Sequence, residues 1–300
     1  MEWIAAVSEA GLNVSNAAGT LFVVATPIGN LADFTLRARA TLAEVDWIAA
    51  EDTRHTRKLL AHYGIHTPMV SLHRHNEERR SQELVQRLRD GDQGALVADA
   101  GTPLIRDPGY VLVRAAAAAG VQVSPVPGPC AAIAALSVSG LPADRFFFAG
   151  FLPAKGAARR ARLQELAVLP VTLVFYEAAH RVCEALADFE VVLGPARPMV
   201  LARELTKRHE TLLRGSIATV AARVRRDPEQ RLGEFVLVVG AAPPPDAEAI
   251  PAEAERLLHM ALAELPPRRA ASLVSAFTGL PRNRLYALAL RLQGQAPDHD

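Results

Sequence analysis

LFVVATPIGNLADFTLRARATLAEVDWIAAEDTRHTRKLLAHYG, residues 21–64, decides the fold class. Within it LFVVAT and WIAAE are short apolar runs, and each leads into a helical pattern, first DFTLRARATLAEV and then the amphipathic TRHTRKLLAHYG. The rhythm continues through MVSL, EERRSQELVQRLRDG, ALVADA, DPGYVLVRAAAAAG and VQVSPVPG, giving five strands separated by four helices. A crossover helix returns the chain to the same strand direction, so the pattern predicts a parallel sheet. Strands that are apolar throughout, rather than alternating, predict helices on both of its faces.

PVPGPC (125–130) breaks this rhythm, and a new helix reading CAAIAALSVSG starts there. RFFFAGFLP, VTLVFYEA, PMVLARELT, HETLLRGSI and EFVLVVGA are strand-like; only Lys207 and Arg208 separate the third from the fourth. Two residues cannot make a crossover, so that pair is expected to be antiparallel and the second sheet mixed. A proline-rich linker, APPPDAEAIP (242–251), precedes three helical patterns, AEAERLLHMALAEL, RRAASLVSAFTG and RNRLYALALRLQ. The expected architecture is two α/β domains, 20–127 with a parallel sheet and 128–242 with a mixed one, followed by a helical basic tail over 251–294.

Composition narrows the class. The 300 residues are half apolar and 22% charged, enough for two ordinary domains and a sizeable core. The alanine-rich run Ala115–Ala119 is interrupted by Arg114 and Gly120, far short of a bilayer span, and no membrane association is expected. The N-terminus has an acidic second residue and no basic segment ahead of an apolar core, so a cytoplasmic protein is expected. Cys130 and Cys183 are too few for a disulfide framework and lack zinc spacing; two reduced, buried thiols are expected. The net charge of +1 says little, but 265–297 carries Arg268, Arg269, Arg282, Arg284 and Arg291 and no acid. That fits either a solvated helical face or a phosphate-contacting module of helix-turn-helix character.

In open parallel sheets ligands bind beyond the carboxyl ends of the strands, so the loops there carry the functional reading. After strand one, TPIGNLAD (26–33) turns sharply into a helix whose expected N-cap is Asp33, and it lacks both the dinucleotide glycine pattern and the P-loop lysine. After strand two, EDTRHTRK (51–58) sets two carboxylates ahead of a cluster of cations. Asp52 fits a helix cap there; a carboxylate beside cations also fits a site that holds a polyanion and deprotonates a hydroxyl. After strand four, VADAGTPLIRDPG (97–109) places Gly101 and Pro103 where main-chain groups, rather than long side chains, would meet a ligand. His73, His75 and Glu77 tempt a metal reading, but their alternate spacing leads from a loop into a helix; no metal is expected, and contact with an anionic substrate suits His75 better.

TPIGNLAD, AEDTRHT, DAGTPLIRDPG, PGPCAA, FLPAKG, FYEAAHR and LARELTK occur in this order in one chain. Together they resemble the bacterial small-subunit ribosomal RNA (cytidine-2′-O)-methyltransferases of the tetrapyrrole methylase superfamily, over residues 20 to about 293. The resemblance implies S-adenosylmethionine as methyl donor, held between two α/β domains, and a homodimer acting on small-subunit ribosomal RNA or the assembled small ribosomal subunit. Carried over by motif, the donor pocket comprises Asp99, Ala100, Gly101, Thr102 and Ile105, completed by Cys130, Ala131, Tyr176 and Glu177.

Methyl transfer to a ribose 2′-hydroxyl requires in-line positioning and help in losing a proton. Glu51 or Asp52 is the candidate base, and the motifs leave the two indistinguishable. Lys207, anchored by Glu204, is the candidate catalytic cation. Arg54, His55, His75, Lys155 and the tail arginines Arg268, Arg269 and Arg282 are candidate RNA contacts. The chain has thirty arginines and only Lys58, Lys155 and Lys207, so lysine at 155 and 207 reflects either chance or a need for a compact ammonium. Two alternatives stay open: a methyltransferase of the same fold acting on a tetrapyrrole or other small molecule, and a noncatalytic ribosome-binding factor. The missing glycine pattern argues against a dinucleotide-dependent oxidoreductase.

Overall fold

The computed structural model describes residues 18–243 and 250–294. The reading of the extreme N-terminus, and most of the proline-rich linker, lie outside the described residues. Strands β1 (Thr20–Val24), β2 (Trp47–Ala50), β3 (Met69–Ser71), β4 (Gly94–Val97) and β5 (Gln122–Val126) form one parallel sheet in the order β3-β2-β4-β1-β5. Helices α1 (Leu36–Glu44), α2 (Thr53–His62), α3 (Glu77–Arg89) and α4 (Tyr110–Ala118) cross between them.

Side chains within one strand go to opposite faces, and both faces are covered. Ile48, Ala50, Ala95 and Val97 pack with Ala38 and Leu42 of α1 and Leu60 of α2. Trp47, Ala49 and Leu96 pack with Leu84 and Leu88 of α3 and Leu112 and Ala116 of α4. The expectation for Asp33 is corrected: Asn30 caps a short 3-10 turn over Leu31–Asp33, and Thr35 caps α1 by accepting from the Ala38 amide at 3.1 Å. Thr35 is in extended backbone ahead of the first helical turn, as an N-cap must be, whereas Asp33 is already inside the 3-10 turn.

The second sheet contains β6 (Phe146–Phe151), β7 (Thr172–Ala178), β8 (Pro198–Arg203), β9 (Thr211–Ser216) and β10 (Glu234–Val239), in the order β6-β7-β10-β8-β9. It is mixed: β6 runs parallel to β7, while β10 lies antiparallel between β7 and β8. The β8–β9 pair is antiparallel, but its connection is Glu204–Glu210 rather than two residues, because β8 ends at Arg203 and a turn intervenes. Helices α6 (Gly156–Ala167), α7 (Val182–Leu193) and α8 (Ile217–Arg226) cover one face, burying Leu163, Leu186 and Val220 with Phe175 and Leu237. The other face is met by α5 (Ala131–Ser139), through Ala132, Ala135 and Leu136.

Both sheets lie within one compact unit that ends at Ala242, and a second unit begins at Pro243. The second unit is a bundle of α9 (Ala252–Leu262), α10 (Pro267–Thr278) and α11 (Arg282–Gly294), with Leu258, Ala271, Val274, Leu285 and Ala289 at its centre. Arg268, Arg269 and Arg282 are exposed, near the N-terminal ends of α10 and α11. Among the described residues no helix is long and apolar enough to cross a membrane.

Candidate functional site

A cavity of about 370 Å³ opens at the carboxyl ends of β1 and β4 in the first sheet and of β7 and β8 in the second. Because β10 is antiparallel to its neighbours, its first residues, Glu234, Phe235 and Val236, reach the same end and join the wall. All nine residues expected to hold a donor line this cavity: Asp99, Ala100, Gly101, Thr102, Ile105, Cys130, Ala131, Tyr176 and Glu177. Lys207 lines it too.

The loop after β4 is fixed before it can offer anything to a ligand. Gly101 and Thr26 exchange backbone hydrogen bonds of 3.0 and 2.9 Å, tying the loop after β4 to the end of β1. The N–H and C=O of Gly101 itself are thus engaged with Thr26. What glycine supplies is a φ of 79° and room for Ile28, whose Cγ2 would lie 3.3 Å from an added Cβ. Thr102 Oγ1 donates to the Pro129 carbonyl at 3.0 Å, joining this loop to the start of α5.

Across the cavity, the Tyr176 hydroxyl accepts from the Ala132 amide at 3.2 Å, and burial pushes its ionisation well above the ordinary phenol range. Glu177 is buried and its carboxyl is raised by that burial, with the Ala178 amide and Arg181 opposing the rise. Cys130 and Cys183 are both free thiols, and both are half-buried rather than buried as expected; Cys130 forms part of the wall. The walls thus combine apolar side chains (Ile28, Ala202, Leu205, Val236) with four acids (Asp99, Asp107, Glu177, Glu234) and two cations (Arg106, Lys207). That chemistry suits a ligand with an apolar or aromatic body and a positive charge.

Lys207 reaches its place over Gly29, where an added Cβ would lie 2.4 Å from the lysine Cγ. Its Nζ donates to Glu204 Oε1 and Glu234 Oε2, each at 2.9 Å. Burial alone would lower the ammonium, but these two carboxylates outweigh it and raise it. Burial would likewise raise Glu204, and the bonds from Lys207 and the Glu234 amide outweigh it, holding the carboxyl below its ordinary range. Glu204 is the anchor expected; Glu234 is a second one, set by the antiparallel return of β10.

The two candidate bases separate. Asp52 caps α2, its Oδ1 accepting from the Arg54 amide at 2.8 Å, while the Arg54 guanidinium holds both carboxylate oxygens. Those bonds keep its carboxyl far below the ordinary range, which suits a cap and makes it a poor proton acceptor. Glu51 is half-buried and is raised by burial and by the charge of Asp99, against Arg74 and His73. Neither residue is in the cavity wall.

Asp107, in the RDPG end of the loop after β4, is in that wall and is pushed up to about 6 by burial, then by Glu51 and Asp99. Asp107 is not among the expected site residues, since nothing in an RDPG turn distinguishes a buried acid from a solvated one. Ile28, Arg106, Phe151 and Glu234 were likewise missed, because each reaches the cavity only through tertiary packing.

Arg54, His55 and His75 are exposed on the loops and first helical turn at the carboxyl edge of the first sheet, and Lys155 is exposed at the start of α6. None of them lines the cavity. His73 and His75 approach edge to face at 6.0 Å. Glu77 turns away from both and accepts from the amides of Gly109 and Val111 at 2.8 and 2.9 Å, capping α4.

Residues 20–221 match the family described as Tetrapyrrole (Corrin/Porphyrin) Methylases, and 248–293 match the RsmI C-terminal HTH domain. The chain is 55% identical over 268 residues to the ribosomal RNA small subunit methyltransferase I of Xylella fastidiosa (strain Temecula1), covering 89% of this chain and 98% of that protein. It is 53% identical over 280 residues to the protein of the same name from Pseudomonas aeruginosa, covering 93% and 99%. Among solved structures it resembles a uroporphyrin-III C-methyltransferase from Thermus thermophilus complexed with S-adenyl homocysteine. There the TM-score is 0.50 and the identity 20%, over 74% of this chain and 97% of that one, a likeness of fold.

Proposed function

Since the chain belongs to the tetrapyrrole methylase family and, within it, to the ribosomal RNA small subunit methyltransferase I group, we propose that it methylates the ribose 2′-oxygen of a cytidine in small-subunit ribosomal RNA, with S-adenosylmethionine as donor. The observation that carries this reading is the apolar, acid-lined cavity at the carboxyl ends of both sheets, in a chain more than half identical to rRNA methyltransferases along nearly its whole length.

The residues present suit the donor. Ile28, Ile105, Cys130 and Val236 give an apolar bed for an adenosine, and Asp99 and Glu177 supply negative charge for a cation. When bound, the donor supplies an activated methyl carbon on a positively charged sulfur. Ala100, Gly101, Thr102, Ala131 and Tyr176 complete the wall that orients it. Excluding water from such a cavity strengthens each charge interaction inside it.

Lys207 acts as a tie between Glu204 and Glu234 beside the cavity, since its ammonium is already engaged by both. RNA phosphates would meet Arg54, His55 and His75 near the first sheet's carboxyl edge, Lys155, and Arg268, Arg269 and Arg282 of the helical unit. Contacts of this kind make affinity fall with salt. A homodimer in the cytoplasm is the state we propose; exposed Ile133 and Val138 on α5 and Phe146 and Phe147 on edge strand β6 support a covered apolar surface. We assign 20–127 and 128–242 as the two halves of the transferase and 251–294 as its RNA-contacting tail.

The test is transfer of labelled methyl from S-adenosylmethionine to small ribosomal subunits from cells lacking this protein, followed by mapping of the modified nucleotide. A single 2′-O-methylated cytidine is the expected product. Donor binding with no methylated RNA would overturn the reading in favour of a noncatalytic factor, and methylation of a tetrapyrrole without RNA in favour of a small-molecule enzyme.

A further inference from the structure

We propose that Asp107 takes the proton from the ribose 2′-hydroxyl; the assignment rests on the transferase reading above. Four carboxylates stand in the cavity wall, and three are committed elsewhere. Asp99 Oδ1 accepts from the Asp52 amide at 3.0 Å. Glu177 is 2% exposed and held by Arg181. Glu234 is bound to Lys207. The Asp107 carboxylate has no hydrogen-bond donor among the described residues, yet it lines the cavity.

The backbone on either side of Asp107 is pinned. Arg106 holds a φ of 78°, its amide donates to the Leu104 carbonyl at 2.9 Å, and its carbonyl accepts from Arg74 Nη2 at 3.2 Å. Two residues further on, the Gly109 amide is fixed by Glu77. Non-glycine residues in the left-handed region cost on the order of 1 kcal/mol or more each, and Leu104 and Arg106 both hold such angles in this one loop. An unpaired acid held on so constrained a segment is a preorganised proton acceptor rather than a solvated turn residue.

The charges facing it come from every neighbouring element. Glu51 at the end of β2 and Asp99 at the end of β4 act to hold a proton on Asp107; Arg74 before α3 and Arg106 in its own loop act against them, and the Tyr176 hydroxyl on β7 stands across the cavity. The balance leaves the group ionised at neutral pH but close to its titration range, where a general base is effective. In the step itself the hydroxyl proton passes to the Asp107 carboxylate. The oxygen bonds the methyl carbon, and the carbon–sulfur pair stays on sulfur, leaving a neutral sulfide. The carboxylic acid then returns its proton to water.

The experiment uses the full-length protein with small ribosomal subunits, in wild type, Asp107→Asn and Glu51→Gln. In Asp107→Asn turnover is expected to fall by about 10²-fold or more, while S-adenosylmethionine affinity by calorimetry and subunit binding stay within a few-fold of wild type. In Glu51→Gln the acid limb of the pH–kcat profile is expected to move to lower pH, because a negative charge beside Asp107 is gone. Carboxyl 13C NMR of Asp107 should show the same downward shift in the free protein, without any turnover. An Asp107→Asn protein as active as wild type would overturn the assignment alone. So would an Asp107 titration unmoved by Glu51→Gln, with turnover lost in that variant at every pH. A wild type that methylates no subunit would overturn the substrate reading, and this assignment with it.

Discussion

The loop after β4 (99–109) and the loop after β8 (204–210) are built alike and used differently. Each carries two non-glycine residues at positive φ, Leu104 and Arg106 in one, Glu204 and Thr206 in the other; these four are all of that kind among the described residues. Each sends a cation over a glycine in the opposite half of the transferase unit. Lys207 crosses Gly29 before α1; Arg106 crosses Gly150, where an added Cβ would lie 2.7 Å from its Cδ, and stacks 5.8 Å from the Phe151 ring. The difference is electrostatic. In the loop after β8 a lysine bridges two carboxylates, whereas the loop after β4 leaves Asp107 beside Glu51 and Asp99 with no cation bound to it. Strained backbone serves stability in the first case and chemistry in the second.

The largest expected effect breaks the first loop at its seat. Gly29→Val forces a branched side chain into a φ of 149° and into the Lys207 stem, so that Glu204 and Glu234 lose their shared cation together. Combining overpacking with a broken, partly buried ion pair, stability should drop by about 3 kcal/mol, read by urea denaturation. A loss below that of Lys207→Met would show that the lysine does not need this path.

Lys207→Met itself should cost about 1–2 kcal/mol, the worth of hydrogen bonds to charged groups at a partly exposed site. Its pH dependence sharpens the comparison. Glu204 is depressed in the folded protein, so its contribution is present above the ordinary carboxylate range and is lost as pH falls through the lowered value. Lys207 is raised, so its contribution is present below the ordinary ammonium value and is lost only as pH climbs through the raised one. The gap between wild type and Lys207→Met should therefore be flat from about pH 5 to pH 10 and shrink on either side; a gap that widens in acid would contradict the tie.

Asp107 should behave with the opposite sign. Its folded value, about 6, lies above the ordinary aspartate value, so the folded state binds the extra proton and stability declines as pH rises from about 4 to 6. Asp107→Asn removes that slope, and at pH 7 should stabilise the protein by about 1 kcal/mol after allowance for solvent screening, a rise of roughly 2–4 °C in melting temperature. A variant that is more stable and less active is the mark of a group kept for chemistry.

These contrasts also separate what the chain made legible from what it did not. The parallel sheet was readable because LFVVAT, WIAAE and ALVADA are apolar throughout, a pattern only a sheet covered on both faces produces. The donor-side wall was readable because long motifs carried its residues. Asp33 was misread because a 3-10 turn and an α-helix start within five residues of each other, and each has its own cap. Asp107 and Glu234 were invisible for a different reason: an acid's role depends on which charges come to face it, and here these arrive from Glu51, some fifty residues upstream, and from a lysine on another strand's loop.

The smallest effect is expected at Asp52, the acid that the sequence alone could not tell from Glu51. Its carboxylate caps α2 and grips Arg54, whose side chain is 85% exposed. Asparagine caps a helix about as well as aspartate, and an exposed ion pair contributes little. Asp52→Asn should therefore leave turnover within a few-fold of wild type at every pH and the melting temperature nearly unchanged near neutrality. Only in acid should the two proteins diverge: the depressed aspartate has stability to lose as pH falls through its lowered value, and asparagine has none. Turnover collapsing in Asp52→Asn, with folding intact, would move the proton acceptor from the loop after β4 to the end of β2 and erase the contrast drawn between the two loops.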